Sequence, residues 1–229
     1  MRPTIHPRRK NRRPNPPDKC EISLFNYEDL MATNVPSPIT YPARPYQGGR
    51  LEAAPRKHGL WYAEPKFNGW RALVHTPTST MWNRHRDLLT IADCFRTALG
   101  MLAKLADHGL VWADCEALQR RHAIGRGTLV VLDAIMPGTY VQRREQLVAG
   151  FGEPLSIESR PPEHSLSLTP SFSADESLLI YQRLREINRI WGCDFYEGVV
   201  MKKADALYPI QLRSGTEECR AMVKHRFVS

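Results

Sequence analysis

A lysine with the potential to act as a nucleophile lies in the run Glu64-Pro65-Lys66-Phe67-Asn68-Gly69-Trp70-Arg71, where a predicted strand turns back on itself. Lysine side chains prefer water, so a lysine held in a cleft between strands is unusual. Once desolvated, its amine can attack an electrophile such as a phosphate. Taken alone, such a run far more often marks an ordinary surface lysine in a β-turn, so the elements around it must decide.

Six short segments predict strands, because they are rich in aromatic or β-branched residues and are bounded by turn formers. They are Leu60–Glu64, Trp70–Thr76, Thr80–Asn83, Leu110–Glu116, Thr128–Ile135 and Gly198–Lys202. Apolar residues at three- and four-residue steps predict helices over Ile91–Asp107 and Asp175–Trp191. Scattered Pro and Ser predict a loop over Gly152–Ala174. The pattern predicts an α+β domain with mainly antiparallel sheets.

Basic residues are concentrated at the N-terminus. The 229-residue chain has a formal net charge of +8, and residues 1–50 hold nine Lys/Arg, four Asp/Glu and nine of the 18 prolines. Five of these basic residues are clustered within Arg8–Arg13. Such a segment cannot bury enough apolar surface to fold alone. We therefore predict a basic, proline-rich arm at 1–50 and a folded domain at 51–229. The arm either binds phosphates or is a solvated tail.

Several classes of protein are disfavoured by composition. No run approaches ~18 apolar residues, so no membrane helix is predicted, and no apolar segment follows the N-terminal charges as in a secretory signal. The five cysteines are widely spaced without a CxxC pair, which indicates neither a zinc site nor a disulfide framework. We expect a cytoplasmic protein with a polyanionic partner and no membrane contact.

Five later segments complete a set with the lysine run. They are Trp82-Asn83-Arg84-His85, Asp114-Cys115-Glu116, Leu132-Asp133, Glu197-Gly198-Val199-Val200-Met201-Lys202 and Val223-Lys224-His225-Arg226. In this order, the set resembles the covalent nucleotidyltransferases (DNA ligases, RNA ligases and mRNA capping enzymes), whose nucleophile motif is Lys-x-Asp-Gly. The resemblance covers residues 60–227. It implies a nucleotidyltransferase (ATP-grasp-like) domain of antiparallel sheets flanked by helices, with an active-site cleft between the sheets.

The resemblance also implies a chemistry and a role for each matching residue. Lys66 would attack the α-phosphate of ATP, expel pyrophosphate and carry AMP as a phosphoramide, a reaction that asks the protein mainly for positioning and charge neutralisation. The other implied roles are adenine recognition by Glu64 and Val200; phosphate binding by Arg71, Arg84, Lys202, Lys224 and Arg226; and orientation of the ribose and binding of Mg²⁺ (or Mn²⁺) by Glu116 and Glu197.

Three positions depart from the family pattern. Asn68 replaces the aspartate of the nucleophile motif, and Leu132 stands where an aromatic side chain usually stacks on adenine. The sequence ends three residues after Arg226, before the OB-fold domain that normally follows. We expect the N-terminal arm or a partner protein to supply the function of that domain.

Two stretches bear on the substrate. Arg143-Arg144-Glu145-x-Leu147 and Tyr208–Ser214 resemble DNA ligases, which favours an ATP-dependent DNA ligase core that seals nicked duplex DNA. The additional N-terminal domain and zinc cysteines of the NAD-dependent branch are absent, which favours ATP as the AMP donor. An RNA ligase of the same superfamily and a non-catalytic nucleic-acid-binding protein that retains the fold remain alternatives.

Overall fold

The computed structural model describes residues 41–53, 60–119, 121, 123–211 and 218–227. The basic cluster Arg8–Arg13 lies outside the described residues, as does the Arg213-Ser214 end of the DNA-ligase-like stretch. Within the described part, two five-stranded sheets, one two-stranded sheet and three α-helices form an α+β fold. The predicted α+β class is therefore confirmed.

Twelve strands lie in the described residues. They are β1 (Tyr41–Pro42), β2 (Arg44–Gln47), β3 (Trp61–Phe67), β4 (Trp70–His75), β5 (Thr80–Trp82), β6 (Trp112–Leu118), β7 (Thr128–Ala134), β8 (Leu166–Leu168), β9 (Phe172–Ser173), β10 (Tyr196–Lys203), β11 (Ile210–Gln211) and β12 (Glu218–Arg226). The first sheet has the order β2-β12-β10-β3-β9 and the second β5-β4-β6-β7-β8, while β1 pairs with β11. Pairing is antiparallel except between β2 and β12 and between β7 and β8. The six predicted strands are β3, β4, β5, β6, β7 and β10.

Three α-helices accompany the sheets. They are α1 (Arg96–Ala103), α2 (Tyr140–Phe151) and α3 (Ser177–Trp191), and 3₁₀ turns at Ala92–Phe95, Ala106–His108 and Ala174–Glu176 flank α1 and α3. α1 and α3 correspond to the two predicted helices, whereas α2 was not predicted. α2 begins with a capping box, in which the Thr139 hydroxyl accepts from the Gln142 amide and the Gln142 side chain accepts from the Thr139 amide. No helix in these ranges combines the length and apolar character needed to cross a bilayer.

Side chains along β10 alternate between the hydrophobic core and the cleft. Val199 and Met201 are buried in the core that includes Leu184 and Ile187 of α3. Burying each large apolar side chain stabilises the fold by roughly 1.5–3 kcal/mol. Because successive residues of a strand point to opposite faces, Val200 lies on the other face of β10, where it lines a cleft.

Residues 41–47 belong to the sheets, although the sequence assigned them to the arm. β2 pairs with β12 at the edge of the first sheet, with Arg44 opposite Glu218. Pro42 and Pro45 made this stretch resemble the rest of the arm, but proline is tolerated in edge strands, where one side of the backbone needs no partner. The folded part therefore includes residues before the predicted boundary at 51.

Candidate active site

A cleft of about 480 Å³ is lined by strands of both five-stranded sheets. All ten residues that the sequence assigned to the site line this cleft. They are Glu64, Lys66, Arg71, Arg84, Glu116, Glu197, Val200, Lys202, Lys224 and Arg226. Folding thus brings the predicted residues together, while the role of each one stays a prediction.

Lys66 lies near the end of β3, beside Glu197 of β10. Its Nζ is 2.7 Å from Glu197 Oε2, and both side chains are 19% exposed. Gly198 pairs with Lys66 on one side and with Arg226 of β12 on the other. A Cβ at Gly198 would lie 1.9 Å from the carbonyl oxygen of His225, so a glycine is required for β12 to approach this closely. The glycine after Glu197 therefore lets three strands meet at the lysine.

Two arginines join this pair in what we term the lysine network: Lys66, Glu197, Arg226 and Arg121. Arg226 Nη2 lies 3.1 Å from Glu197 Oε2, and Arg121 Nη1 lies 3.4 Å from Glu197 Oε1. Burial would raise the pKa of Glu197, but Lys66 and the two arginines lower it below its ordinary value. Glu197 is therefore an anion surrounded by cations.

Asn68 connects Arg121 to the β3–β4 turn. Its Oδ1 accepts a hydrogen bond from Arg121 Nη1 at 2.8 Å, and its Nδ2 donates to the carbonyl oxygen of Asp194 at 2.8 Å. An ionised aspartate has no donor for that carbonyl, so the amide suits this position. Arg121 was not predicted; it lies between β6 and β7 and is 53 residues from Asn68 along the chain. No local pattern marks it.

Glu116 of β6 is the second carboxylate near Lys66. Its Oε1 accepts from the amide of Gly69 at 2.8 Å, and a Cβ at Gly69 would lie 2.8 Å from Glu116 Cγ. The glycine of the nucleophile motif therefore makes room for this carboxylate. Burial raises the pKa of Glu116 to about 7; Lys66 and the Gly69 amide oppose the rise, and Glu197 adds to it.

The two carboxylates fit the divalent cation that the resemblance implies. In the described ranges no group of three or more His, Cys, Asp or Glu side chains is arranged to hold a metal ion. Mg²⁺, however, is commonly bound by one or two carboxylates together with water and substrate phosphates. The raised pKa of Glu116 shows that its negative charge is poorly compensated. A cation held by Glu116 and Glu197 would stabilise it.

Arg71 lines the cleft with its guanidinium already engaged. Its Nε and Nη2 donate to the two carboxylate oxygens of Asp114 at 2.8 and 2.6 Å, and its Nη1 donates to the Ala43 carbonyl at 2.9 Å. Burial would lower the pKa of Arg71, but Asp114 and Tyr208 raise it above its ordinary value. The guanidinium that was predicted to bind a phosphate is therefore paired with Asp114 in this structure.

A second set of charges, which we term the buried network, comprises Glu64, Lys202, Asp133 and Arg143. Lys202 Nζ lies 2.8 Å from Glu64 Oε2 and 3.6 Å from Asp133 Oδ2. Arg143 donates to both Asp133 oxygens, at 2.8 and 3.1 Å, and the Tyr140 hydroxyl donates to Glu64 Oε1 at 2.6 Å. Burial would raise the pKa of Asp133, but Lys202 and Arg143 lower it. Glu64 and Lys202, predicted to bind adenine and phosphate, are thus bound to each other.

Further cations and apolar side chains complete the lining. Partial burial, with Arg44 and Arg71 nearby, lowers the pKa of Arg84. Burial also lowers the pKa of Lys224, whose Nζ is 3.9 Å from Glu218 Oε1. These shifts mark positive charges that an anion would stabilise. Val200 and Leu132 add apolar surface to the same cleft, which suits a ring as well as a phosphate chain.

Comparisons with known proteins now bear on this geometry. No family model matches the chain, and no curated protein matches it. Among solved structures, the one named Pmar-Lig_Pre superposes with a TM-score of 0.52 at 13% identity, covering 82% of this chain and 47% of that chain. The ligase domain of LigD from M. tuberculosis superposes with a TM-score of 0.51 at 17% identity, covering 82% and 59%. The chain has the fold of a ligase domain.

The likeness covers only part of each solved structure. The chain spans about half the length of the two structures just described. An archaeal ATP-dependent RNA ligase also superposes, with a TM-score of 0.45 at 15% identity over 66% of this chain and 42% of that chain. The two structures with TM-scores above 0.5 establish the fold alone, and the chemistry must be argued from the residues of the cleft.

Proposed function

We propose that this chain is the catalytic core of an ATP-dependent polynucleotide ligase that carries AMP on Lys66. One observation carries the proposal: the Lys66 amine lies 2.7 Å from the Glu197 carboxylate in a cleft that Glu116 and several cations also line. A ligase fold with this arrangement suits adenylyl transfer, because phosphoryl chemistry depends on an aligned nucleophile and on charge neutralisation.

The first chemical step can be written on this chain's own atoms. Lys66 Nζ forms a bond to the α-phosphorus of ATP while the bond from that phosphorus to the pyrophosphate oxygen breaks. The ammonium must lose a proton before it attacks, and Glu197 Oε2 is the acceptor at hydrogen-bonding distance. Arg84 and Lys224 line the same cleft and supply positive charge for the phosphates. Mg²⁺ or Mn²⁺, when held by Glu116 and Glu197, would neutralise further phosphate charge.

We propose that adenine is bound at the floor of the cleft, by a hydrogen bond to Glu64 and by apolar contacts. Glu64 has lone pairs beyond those used by Tyr140 and Lys202, so it can still accept from the exocyclic amine of adenine. Val200 and Leu132 line the same space and would contact the ring by dispersion. Lys202 would reach the α-phosphate only by giving up part of its contact with Glu64.

Nicked duplex DNA is the proposed substrate, on the resemblance of Arg143–Leu147 and Tyr208–Ser214 to DNA ligases. In the fold, Arg143 binds Asp133 and the Tyr208 hydroxyl donates to Asp114 Oδ2 at 2.9 Å. Both side chains thus bind acidic residues of the cleft and are not placed to contact a nucleic acid. The proposal of DNA accordingly rests on the family resemblance, and a direct comparison of substrates is needed.

A nicked DNA duplex with a 5′-phosphate is expected to be sealed faster than a nicked duplex made of RNA. The measurement is the single-turnover rate with pre-adenylated protein and the two duplexes of the same sequence. Faster sealing of RNA would move the proposal to an RNA ligase. A protein that binds both duplexes but never accepts AMP would be a non-catalytic binding protein.

A further inference from the structure

A second groove, of about 660 Å³, lies on the other side of Glu197 and Arg226 from the cleft, and both residues line the two spaces. We propose that this groove binds the phosphodiester backbone of the polynucleotide, with Arg185 and Arg189 of α3 as its phosphate ligands. The inference rests on the proposed function, because it places the second substrate of the same reaction.

The position of the groove supports this assignment. Glu197, which forms its border, is 2.7 Å from the Lys66 amine. Asn68 and Asp194 also line the groove and are joined by a hydrogen bond of 2.8 Å. A strand lying in the groove would therefore pass Glu197, the residue that contacts the nucleophile. A polynucleotide must reach that point if AMP is to pass from Lys66 to its 5′-phosphate.

Charge on the α3 side of the groove fits a polyanion. Arg185 and Arg189 are exposed and line the groove together with Arg226. Arg189 also donates to both carboxylate oxygens of Glu186 on its own helix, at 2.9 and 2.5 Å, an exposed pair that a phosphate can replace at little cost. The acidic residues of the lining are Asp194 and Glu197, and Glu197 is already paired within the lysine network. The C-terminal end of α3 also borders the groove, where a helix is electronegative, and the positive charge of Arg189 in the last turn offsets it.

One aromatic ring adds a surface suited to a nucleotide. Phe227 lines the groove, and the Arg185 guanidinium lies 6.0 Å from the centre of its ring. The edge of the ring also packs against Tyr181, which fixes its orientation. Proteins bind single strands of nucleic acid with aromatic rings, on which bases stack, and with arginines, which pair with phosphates.

Arg183 offers a matched control. It lies on the same helix and has the same charge and comparable exposure, but its Nε and Nη2 donate to Glu158 at 2.7 and 2.6 Å, and it does not line the groove. Loss of charge at Arg183 changes the net charge of the protein as much as loss at Arg185 does. Arg189 is paired with Glu186 as Arg183 is with Glu158, so a difference between the Arg183 and Arg189 substitutions reports on position.

The test measures affinity against salt concentration for the full chain without ATP, on 5′-phosphorylated nicked duplexes of DNA and of RNA. We expect Arg185→Gln and Arg189→Gln each to weaken binding severalfold and to lower the slope of log affinity against log salt by roughly 0.9 on DNA. The double variant should lower it by about twice as much, Arg185→Lys should keep the wild-type slope, and Arg183→Gln should match wild type. Equal losses of affinity on both duplexes would show that the groove binds the phosphate backbone that DNA and RNA share. A loss on one duplex alone would show that the groove binds that nucleic acid.

An unchanged slope in the double variant, or an equal loss with Arg183→Gln, would overturn the groove assignment. Mass measurement of the AMP adduct on the wild-type protein separates this failure from failure of the proposed function. If the wild-type protein forms the adduct and the double variant binds as wild type does, only the groove assignment is wrong. If the wild-type protein forms no adduct and only the groove variants lose affinity, the adenylation proposal is wrong and the groove still binds nucleic acid.

Discussion

The two ionic networks of the cleft differ in how much water reaches them. Side chains of the buried network are 2–7% exposed, whereas those of the lysine network are 19–51% exposed. A charge removed from water must keep its partners, because an unpaired buried ion is costly. Charges that remain partly solvated lose little when they exchange partners. We infer that the buried network holds the floor of the cleft, while the lysine network can re-pair when phosphates enter.

The largest effect on stability is expected from Arg143→Met, which leaves Asp133 buried without its two-nitrogen partner. Breaking a buried pair in this way should lower the free energy of unfolding by about 3–5 kcal/mol. Arg183→Met, which removes an exposed pair with Glu158, should leave it nearly unchanged. Urea unfolding of both variants measures the difference. Equal losses would show that the two kinds of pair do not differ as described.

Within the lysine network, Glu197→Gln should slow formation of the AMP adduct by roughly 100-fold, which is the lower range for loss of a positioned acid or base. The amide cannot take the Lys66 proton, and it weakens the pair of carboxylates that would bind Mg²⁺. Glu218→Gln is the control, because its carboxylate lies near Lys224 but does not line the cleft. Rapid-quench measurement at saturating ATP gives the rates. An unchanged rate for Glu197→Gln would remove Glu197 from the chemistry.

The smallest effect on the first step is expected from the N-terminal arm, which we propose binds the phosphates of nucleic acid. Deleting residues 1–20 removes seven Lys/Arg and one Asp, so binding to nicked DNA should weaken and its salt dependence should flatten. Adduct formation should stay close to wild type, because it uses residues of the cleft. If the salt slope does not change, the arm is an idle tail. If the adduct is lost, the arm serves adenylation instead.

Sequence patterns were sufficient for the hairpin that presents Lys66, for the strand carrying Glu116 and for the strand predicted from Gly198, which in the structure begins at Tyr196 and so includes Glu197. Each of these elements is marked locally, by β-branched or aromatic residues and by glycines that the close contacts require. α2 escaped prediction because one of the residues on its core face is Arg143, which interrupts the apolar periodicity. A buried arginine can occupy that face only because Asp133 of a distant strand pairs with it, and local periodicity carries no such information.

Contacts between distant residues also explain what was missed in the cleft. Arg121 contributes to the site through Asn68 and Glu197, which lie 53 and 76 residues away along the chain. Likewise, Arg71 fitted a phosphate ligand by residue type, but the fold pairs it with Asp114. The family resemblance therefore predicted side chains that line the cleft. It could not predict how those side chains pair with one another, since pairing depends on three-dimensional distance.

The central claim is that Lys66 carries AMP, and intact-mass measurement of the full chain incubated with ATP and Mg²⁺ tests it most directly. We predict the addition of one AMP, stable to base and labile to acid as a phosphoramide is, and its complete loss in Lys66→Ala. Lys203→Ala is the control, because Lys203 pairs with Asp205 and does not line the cleft, and it should retain the adduct. An adduct that persists in Lys66→Ala, or a wild-type protein that never acquires one, would contradict the account.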